Sequence, residues 1–244
     1  MSLPAPTPRF LDAGESALVV EFGAAVDPVI NDHVIALDAQ LASLVLPGVL
    51  ETVPTYRSLM IHYDPLVLDR DSLIARIRAL ELRLDSPTRA KNLWTIPCCY
   101  EQPFAGDLSE VARATGMPEA EVIRLHSQTT FRAYMYGFAP GFCYLGGLPK
   151  ELDISRRPTP RPPHKPGAIL IAGGLSLIST FSMPTGWWVI GQTPVRLFSL
   201  SRQPAFLLEV GDSVRFLPIS AVEFASLDHR AAAGDVIASR ETLQ

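Results

Sequence analysis

The chain has 244 residues, a hydrophobic fraction of 48%, 19% charged residues and a formal net charge of −4 at pH 7. Its length predicts two domains of roughly 100 and 140 residues, and its apolar content excludes a disordered chain. An acidic balance without a basic run excludes nucleic acid and a membrane surface as partners, and no apolar run approaches the ~18 residues of a bilayer span. The opening MSLPAPTPRF has no charged segment leading into an apolar one, so no secretory signal is expected and a cytoplasmic site is the default. Cys98, Cys99 and Cys143 lack both the number for a disulfide framework and the spacing for a tetrahedral metal, and are read as buried free thiols.

Ala17 to Phe22 is apolar and β-branched between two glycines, which predicts a buried strand. Asp27-Pro28 then reads as a cap with proline at the first helical position, and Ile30, Val34, Leu37, Leu41 and Leu44 step along one helix face to a stop at Pro47-Gly48. Val49–Val53 and Ser58–Tyr63 are two strands, followed by a second helix with Leu73, Ile77, Leu80 and Leu84 on its face and Asp69 or Asp71 as cap. With a strand at Trp94–Cys98, the order predicts a two-layer α+β N-terminal domain over residues 1–92, ended by the polar linker Ser86–Asn92. His33 and His62 are read as structural or solvated.

Residues 93–244 open with helices at Leu108–Thr115 and Pro118–His126. Short apolar runs follow at Arg132–Phe138, Ala168–Ala172, Leu175–Thr180, Trp187–Gly191, Val195–Leu200, Ala205–Glu209 and Ser213–Leu217, a pattern that predicts a β-sandwich or barrel. Gly211-Asp212 is a hairpin candidate, and the chain from Ile219 reads as a short polar helix and tail.

No phosphate-binding loop, dinucleotide fingerprint, zinc-protease motif or nucleophile elbow is present, so no residue is assigned a catalytic role. Three stretches remain. Tyr134–Pro149, YMYGFAPGFCYLGGLP, combines aromatic area with glycine and proline, the composition of a bent pocket wall or of a structural corner. Ser155–Pro166 interleaves five prolines with Arg156, Arg157, Arg161, His164 and Lys165. It predicts an extended loop that either docks an anion or simply connects two strands. Gly173–Gly191 carries hydroxyls and the pair Trp187-Trp188, of which one indole faces the core.

Taken in order, these stretches resemble the family of the B-type subunit of 5-oxoprolinase, also known as allophanate hydrolase subunit 1, which includes a Kip-type inhibitor of a sensor histidine kinase. The resemblance rests on PTYRSLMIHYDP at 54–65, VIRLH at 122–126, the long GFAPGFCYLGGLP string, TPR at 159–161, TGWWVIGQTP at 185–194 and FLLEVGDSVRF at 206–216. The chain departs from the family at Gly173–Ser179, where relatives carry a glutamine and a tyrosine, and at Pro184–Trp187. The resemblance implies an α+β domain joined to a cyclophilin-like β-barrel. It also implies partnership with two further subunits, the homologous C-type and the A-type, in a complex that couples ATP hydrolysis to opening of the lactam 5-oxoproline. A kinase inhibitor and a carboxyltransferase-type component acting on urea- or allophanate-like substrates are the alternatives. The residues expected at a shared small-carboxylate site are Tyr136, Gly137, Phe138, Pro140, Gly141, Phe142, Tyr144, Arg161, Lys165 and Trp188, with no metal.

Overall fold

The computed structural model describes residues 7–80, 82 and 92–243. The chain divides into two compact units, Met1–Ala90 and Lys91–Gln244. The interior of the expected linker, Leu84 of the second helix face and the first six residues lie outside the described residues.

In the first unit, strands β1 (Arg9–Asp12), β2 (Ala17–Glu21), β3 (Val49–Pro54) and β4 (Ser58–Tyr63) form an antiparallel sheet in the order β1-β2-β4-β3. Helix α1 (Pro28–Leu44) begins where the Asp27 carboxylate accepts from the Val29 and Ile30 amides at 2.8 and 3.1 Å. Helix α2 (Arg70–Arg78) is capped by Asp69 rather than Asp71, through the Ser72 amide at 2.9 Å. Residues of β4 alternate between core and outer face, so Leu59 and Ile61 meet Leu18 and Val20 of β2 and the helix residues Val34, Leu37, Leu41, Leu73 and Ile77. Each such side chain contributes about 1.5–3 kcal/mol by leaving water. β1 was not expected. Its mostly exposed RFLD has no apolar alternation and is held instead by its register with β2, Phe10 opposite Val20. His33 is a core residue with Nδ1 2.7 Å from the Val29 carbonyl, as its lone position on a helix face suggested.

The second unit is a closed barrel. Strands β5 (Asn92–Cys99), β6 (Phe131–Tyr136), β7 (Cys143–Gly146), β8 (Ala168–Ala172), β9 (Leu175–Ile178), β10 (Trp188–Gln192) and β11 (Ser213–Ile219) run in the order β10-β8-β9-β7-β6-β11-β5. The ring shuts where Gln192 of β10 pairs with Cys99 of β5. Helices α3 (Leu108–Thr115) and α4 (Glu119–Gln128) pack Leu108, Val111 and Val122 against the barrel interior of Ile96, Phe131, Leu145, Ile169, Ile171, Ile190 and Phe216. Gly167 fixes the approach to β8: its φ is +80°, and an added Cβ would lie 2.2 Å from the Thr193 carbonyl oxygen. Gly167→Ala is therefore expected to destabilise this unit by about 3 kcal/mol, left-handed strain adding to the clash; urea unfolding of the variant checks it.

Three expectations are corrected. Val195–Leu200 and Ala205–Glu209 do not form strands but touch through a single bridge between Phe198 and Phe206. Prolines at 194 and 204 remove ladder donors there. Gly211-Asp212 is not a hairpin turn. The Gly211 amide donates to the Ala133 carbonyl at 2.7 Å, while the Asp212 carboxylate accepts from the Trp94 indole at 2.9 Å. The chain after Ile219 forms helix α5 (Ala221–Ala232), started by a Ser220–Glu223 capping box, but its tail is a further strand, β12 (Ser239–Thr242). β12 pairs with residues 92–95 of β5, the part of that edge which β10 leaves open.

Candidate functional site

Strands β7 to β10 are buried on both faces. Alternation turns Cys143, Leu145, Ile169, Ile171, Ile178 and Ile190 inward. Phe142, Tyr144, Leu170, Leu177, Trp187 and Val189 turn to an outer cluster. On that outer face the rings form a chain, Phe142 to Tyr144 at 5.7 Å and Tyr144 to Trp187 at 6.2 Å, both edge-to-face. The Arg156 guanidinium stands 5.5 Å from the centre of the Trp187 ring. Burial raises the Tyr144 phenol above its ordinary pKa, partly offset by the Arg156 charge, so the hydroxyl is a neutral donor at pH 7. The result is an aromatic wall that is itself largely covered, Phe142 and Trp187 being 5% and 8% exposed, with the half-buried Tyr144 and one cation at its rim.

The β6–β7 connection, Gly137 to Phe142, borders this wall. Thr180 Oγ1 donates to the Pro140 carbonyl at 2.7 Å. Gly141 has φ +74°, and an added Cβ would lie 2.4 Å from Phe198 Cβ, so only glycine lets the two loops meet. Phe138 is exposed at the tip with its ring 5.4 Å from that of Phe142.

The structure separates Tyr136 from Tyr144. Tyr136 is paired with Cys143 and shares its side of the ladder, where its hydroxyl donates to the Leu208 carbonyl at 2.7 Å and its ring meets Phe206. The two phenols thus serve different environments. Trp188 likewise turns toward the core, because its register partner is the inward Ile171. Its indole N–H donates to the Ser155 carbonyl at 2.8 Å, and Arg157 covers its ring at 4.5 Å. Trp187 is the tryptophan of the outer wall.

The proline-rich loop runs beside the segment before β10, with Arg157, Arg161 and His164 amides donating to the carbonyls of Gly186, Thr185 and Met183. Its arginines converge on Asp107, at the start of α3. Arg161 Nη1 lies 2.7 Å from Asp107 Oδ2, and Arg157 Nη1 lies 3.2 Å from both Asp107 Oδ1 and Glu110. Asp107 is nearly enclosed and also accepts from the Val189 amide at 2.8 Å. Gly106 makes the approach possible, since an added Cβ would meet both Arg161 Nη atoms at 2.9 Å. Lys165 is exposed, and its carbonyl lies 2.9 Å from His164 Nδ1. A carbonyl only accepts, so Nδ1 carries the proton and the buried Nε2 is a bare acceptor without a partner among the described residues. Burial, followed by the Arg161 charge, lowers the His164 pKa.

Sequence reasoning passed over Asp107, and it singled out the stretches that hold Arg156 and Trp187 without placing either residue in the expected site, where it put Trp188. Asp107 reads as an ordinary helix cap, yet its side chain makes no capping bond. Among the described residues no group of three or more His, Cys, Asp or Glu could hold a metal, and no helix is long and apolar enough to cross a membrane.

Inside the barrel, His126 is wholly buried with Nδ1 2.8 Å from the Tyr100 hydroxyl and Nε2 3.1 Å from Ser176 Oγ. It stacks on Phe216 at 4.7 Å, and burial depresses its pKa to about 3. Enclosed in this way, the Tyr100–His126–Ser176 chain is a satisfied polar core.

Residues 8–208 match the carboxyltransferase domain, subdomain C and D. The chain belongs to that carboxyltransferase family. Within it, the chain is 33% identical over 223 residues to the B-type subunit of 5-oxoprolinase from Bacillus subtilis, spanning 86% of this chain and 92% of that one. The crystal structure of TTHA0988 superposes with a TM-score of 0.75 at 33% identity, over 84% of this chain but only 40% of that longer one. The Kluyveromyces lactis urea amidolyase shares the fold, with a TM-score of 0.76 at 15% identity over 100% of this chain and 17% of its own.

Proposed function

We propose that this protein is the B-type subunit of a 5-oxoprolinase-like complex, a cyclic-amide hydrolase in which ATP is consumed by the assembly of this chain with A- and C-type subunits. The observation that carries this reading is the 33% identity that extends over 92% of a 5-oxoprolinase B-type subunit. The chemistry of the chain supports a contributing rather than a self-sufficient role. Its thiols are buried, burial pushing Cys143 up to about 12, and His126 is enclosed and neutral. On the outer side of its strands the second unit has a largely buried aromatic cluster of Phe142 and Trp187, and the groups it leaves at the edge, the half-buried Tyr144 and the exposed Arg156 over the Trp187 ring, suit the carboxylate of a lactam acid. Gly137, Phe138, Pro140 and Gly141 shape the loop beside that wall. Arg161 is held by Asp107 as its counter-ion, and Lys165 is exposed further along the same loop.

The test is reconstitution with the A- and C-type chains of the same genome, followed by ADP release on addition of 5-oxoproline. Lactam-dependent turnover is expected, and Arg156→Ala should raise the KM by about tenfold, the scale of losing one charged contact of roughly 1.4 kcal/mol. A complex that forms but releases no additional ADP with 5-oxoproline or related lactams overturns the reading.

A further inference from the structure

The proline-rich loop Ser155–Pro166 lies as a strap across the start of β10 and is tied down by few bonds. Five prolines leave it short of amide donors. Three amides, those of Arg157, Arg161 and His164, reach across to the carbonyls of Gly186, Thr185 and Met183. At one end the Ser155 carbonyl accepts from the Trp188 indole, and Arg156 and Arg157 lie over the rings of Trp187 and Trp188. At the other the Pro166 carbonyl accepts from the Gln192 side chain at 2.8 Å.

His164 is the one fully buried side chain of the strap, at 7% exposure. Its Nδ1–H serves the Lys165 carbonyl, the Ser179 hydroxyl lies 3.3 Å from the same nitrogen, and Nε2 is sealed from water as a bare acceptor. The charges that face the ring are Arg161 from the strap itself and Asp107 from the segment before α3. Both Asp107 oxygens are already engaged, by Arg157, Arg161 and the Val189 amide. A second proton on the ring therefore creates a cation beside Arg161 and an Nε2–H donor with nothing to receive it, while the one facing carboxylate is taken. Arg157 Nε and Arg161 Nε are likewise buried without an acceptor among the described residues, so docking the strap already costs desolvated donors.

We infer that His164 is a proton-sensitive latch: the strap lies closed over the start of β10 while the imidazole is neutral, and protonation of the imidazole opens it and takes Arg156 off the Trp187 ring. In the closed strap burial, followed by the Arg161 charge, opposes the cation, whereas in the opened strap the ring is solvated and titrates near 6.5. The neutral ring thus favours closure in full above about pH 6.5, and this advantage declines as pH falls, by up to about tenfold in the closed-to-open ratio per pH unit. Because the strap is held by few bonds, the shift acts on it ahead of the barrel ladders. In the reading proposed above Arg156 is the carboxylate contact, so the latch couples ligand binding to pH; the latch itself does not depend on that reading.

Amide hydrogen exchange of the full-length protein, corrected for intrinsic rates, tests this. At pH 7.5 the Arg157, Arg161 and His164 amides should be at least about 100-fold less protected than those of β8 and β9, as befits a local opening. Their protection in the wild type should fall by about five- to tenfold between pH 7.5 and 5.5. In His164→Gln, which keeps a donor and an acceptor but cannot titrate, it should stay within twofold. His164→Asn supplies the same comparison in a shorter side chain, and the β8 and β9 amides report whether either variant is folded. Strap amides as protected as those of β8, a wild-type fall of less than twofold, or an equal fall in the wild type and the folded variants overturns the latch.

Discussion

Asp107→Ala is expected to destabilise the barrel unit by about 3 kcal/mol, because at once it strips Arg161 of its counter-ion, leaves Arg157 with Glu110 alone and removes the acceptor of a buried strand amide. The carboxylate is 4% exposed and lies 2.7 Å from Arg161, 3.2 Å from Arg157 and 2.8 Å from the Val189 amide. Breaking a buried pair by removing one partner ranges over about 3–5 kcal/mol. The lower end applies because the Arg157 and Arg161 side chains remain 20% and 27% exposed, so water screens part of the orphaned charge. Asp107→Asn keeps an acceptor for Val189 and should lose roughly half as much. All three tryptophans, Trp94, Trp187 and Trp188, belong to the barrel unit, so their fluorescence during urea unfolding reads it alone. An unchanged midpoint in Asp107→Ala would show that the cluster is energetically neutral.

The second large effect is a loss of stability in acid. His126 titrates at about 3 in the fold and at about 6.5 in the unfolded chain. Its folded pKa is the depressed one, so the neutral ring favours the fold fully above about pH 6.5, and this contribution declines as pH falls towards 3. Between those limits the unfolded state alone takes up the proton, which gives a slope of about 1.4 kcal/mol per pH unit from this group. His126→Gln removes the titration and should flatten the dependence by that amount, whatever it does to stability at pH 7. Equal slopes for wild type and variant between pH 6 and 4 would refute the assignment.

Much of the architecture was legible where one physical signal acted alone. The four- and three-residue steps from Ile30 to Leu41 and the Asp27-Pro28 start specify α1 because burial of one face and satisfaction of end amides are local requirements. The bend of the GFAPGF connection between β6 and β7 was legible because so few backbone conformations suit that composition. What was not legible depended on partners distant in sequence. β12 is exposed at all four positions and exists because β5 offers an open edge. Which tryptophan faces outward is set by the register of Trp188 with Ile171, since a period of two fixes alternation but not phase. Asp107 was hidden because a carboxylate before a helix has an adequate local explanation, and only the fold brings Arg157, Arg161 and Val189 to it.

The strand order of the barrel also governs when it can form during synthesis. The first unit pairs only strands that are complete by residue 63, so nothing in its sheet waits for later chain. β5 is the opposite case: its full-length parallel neighbour, β11, ends at Ile219, and β12, which covers its other edge, ends at Thr242. The first strand of the barrel to leave the ribosome is therefore the last to be enclosed, and its edges stay open until first β11 and then β12 have been added.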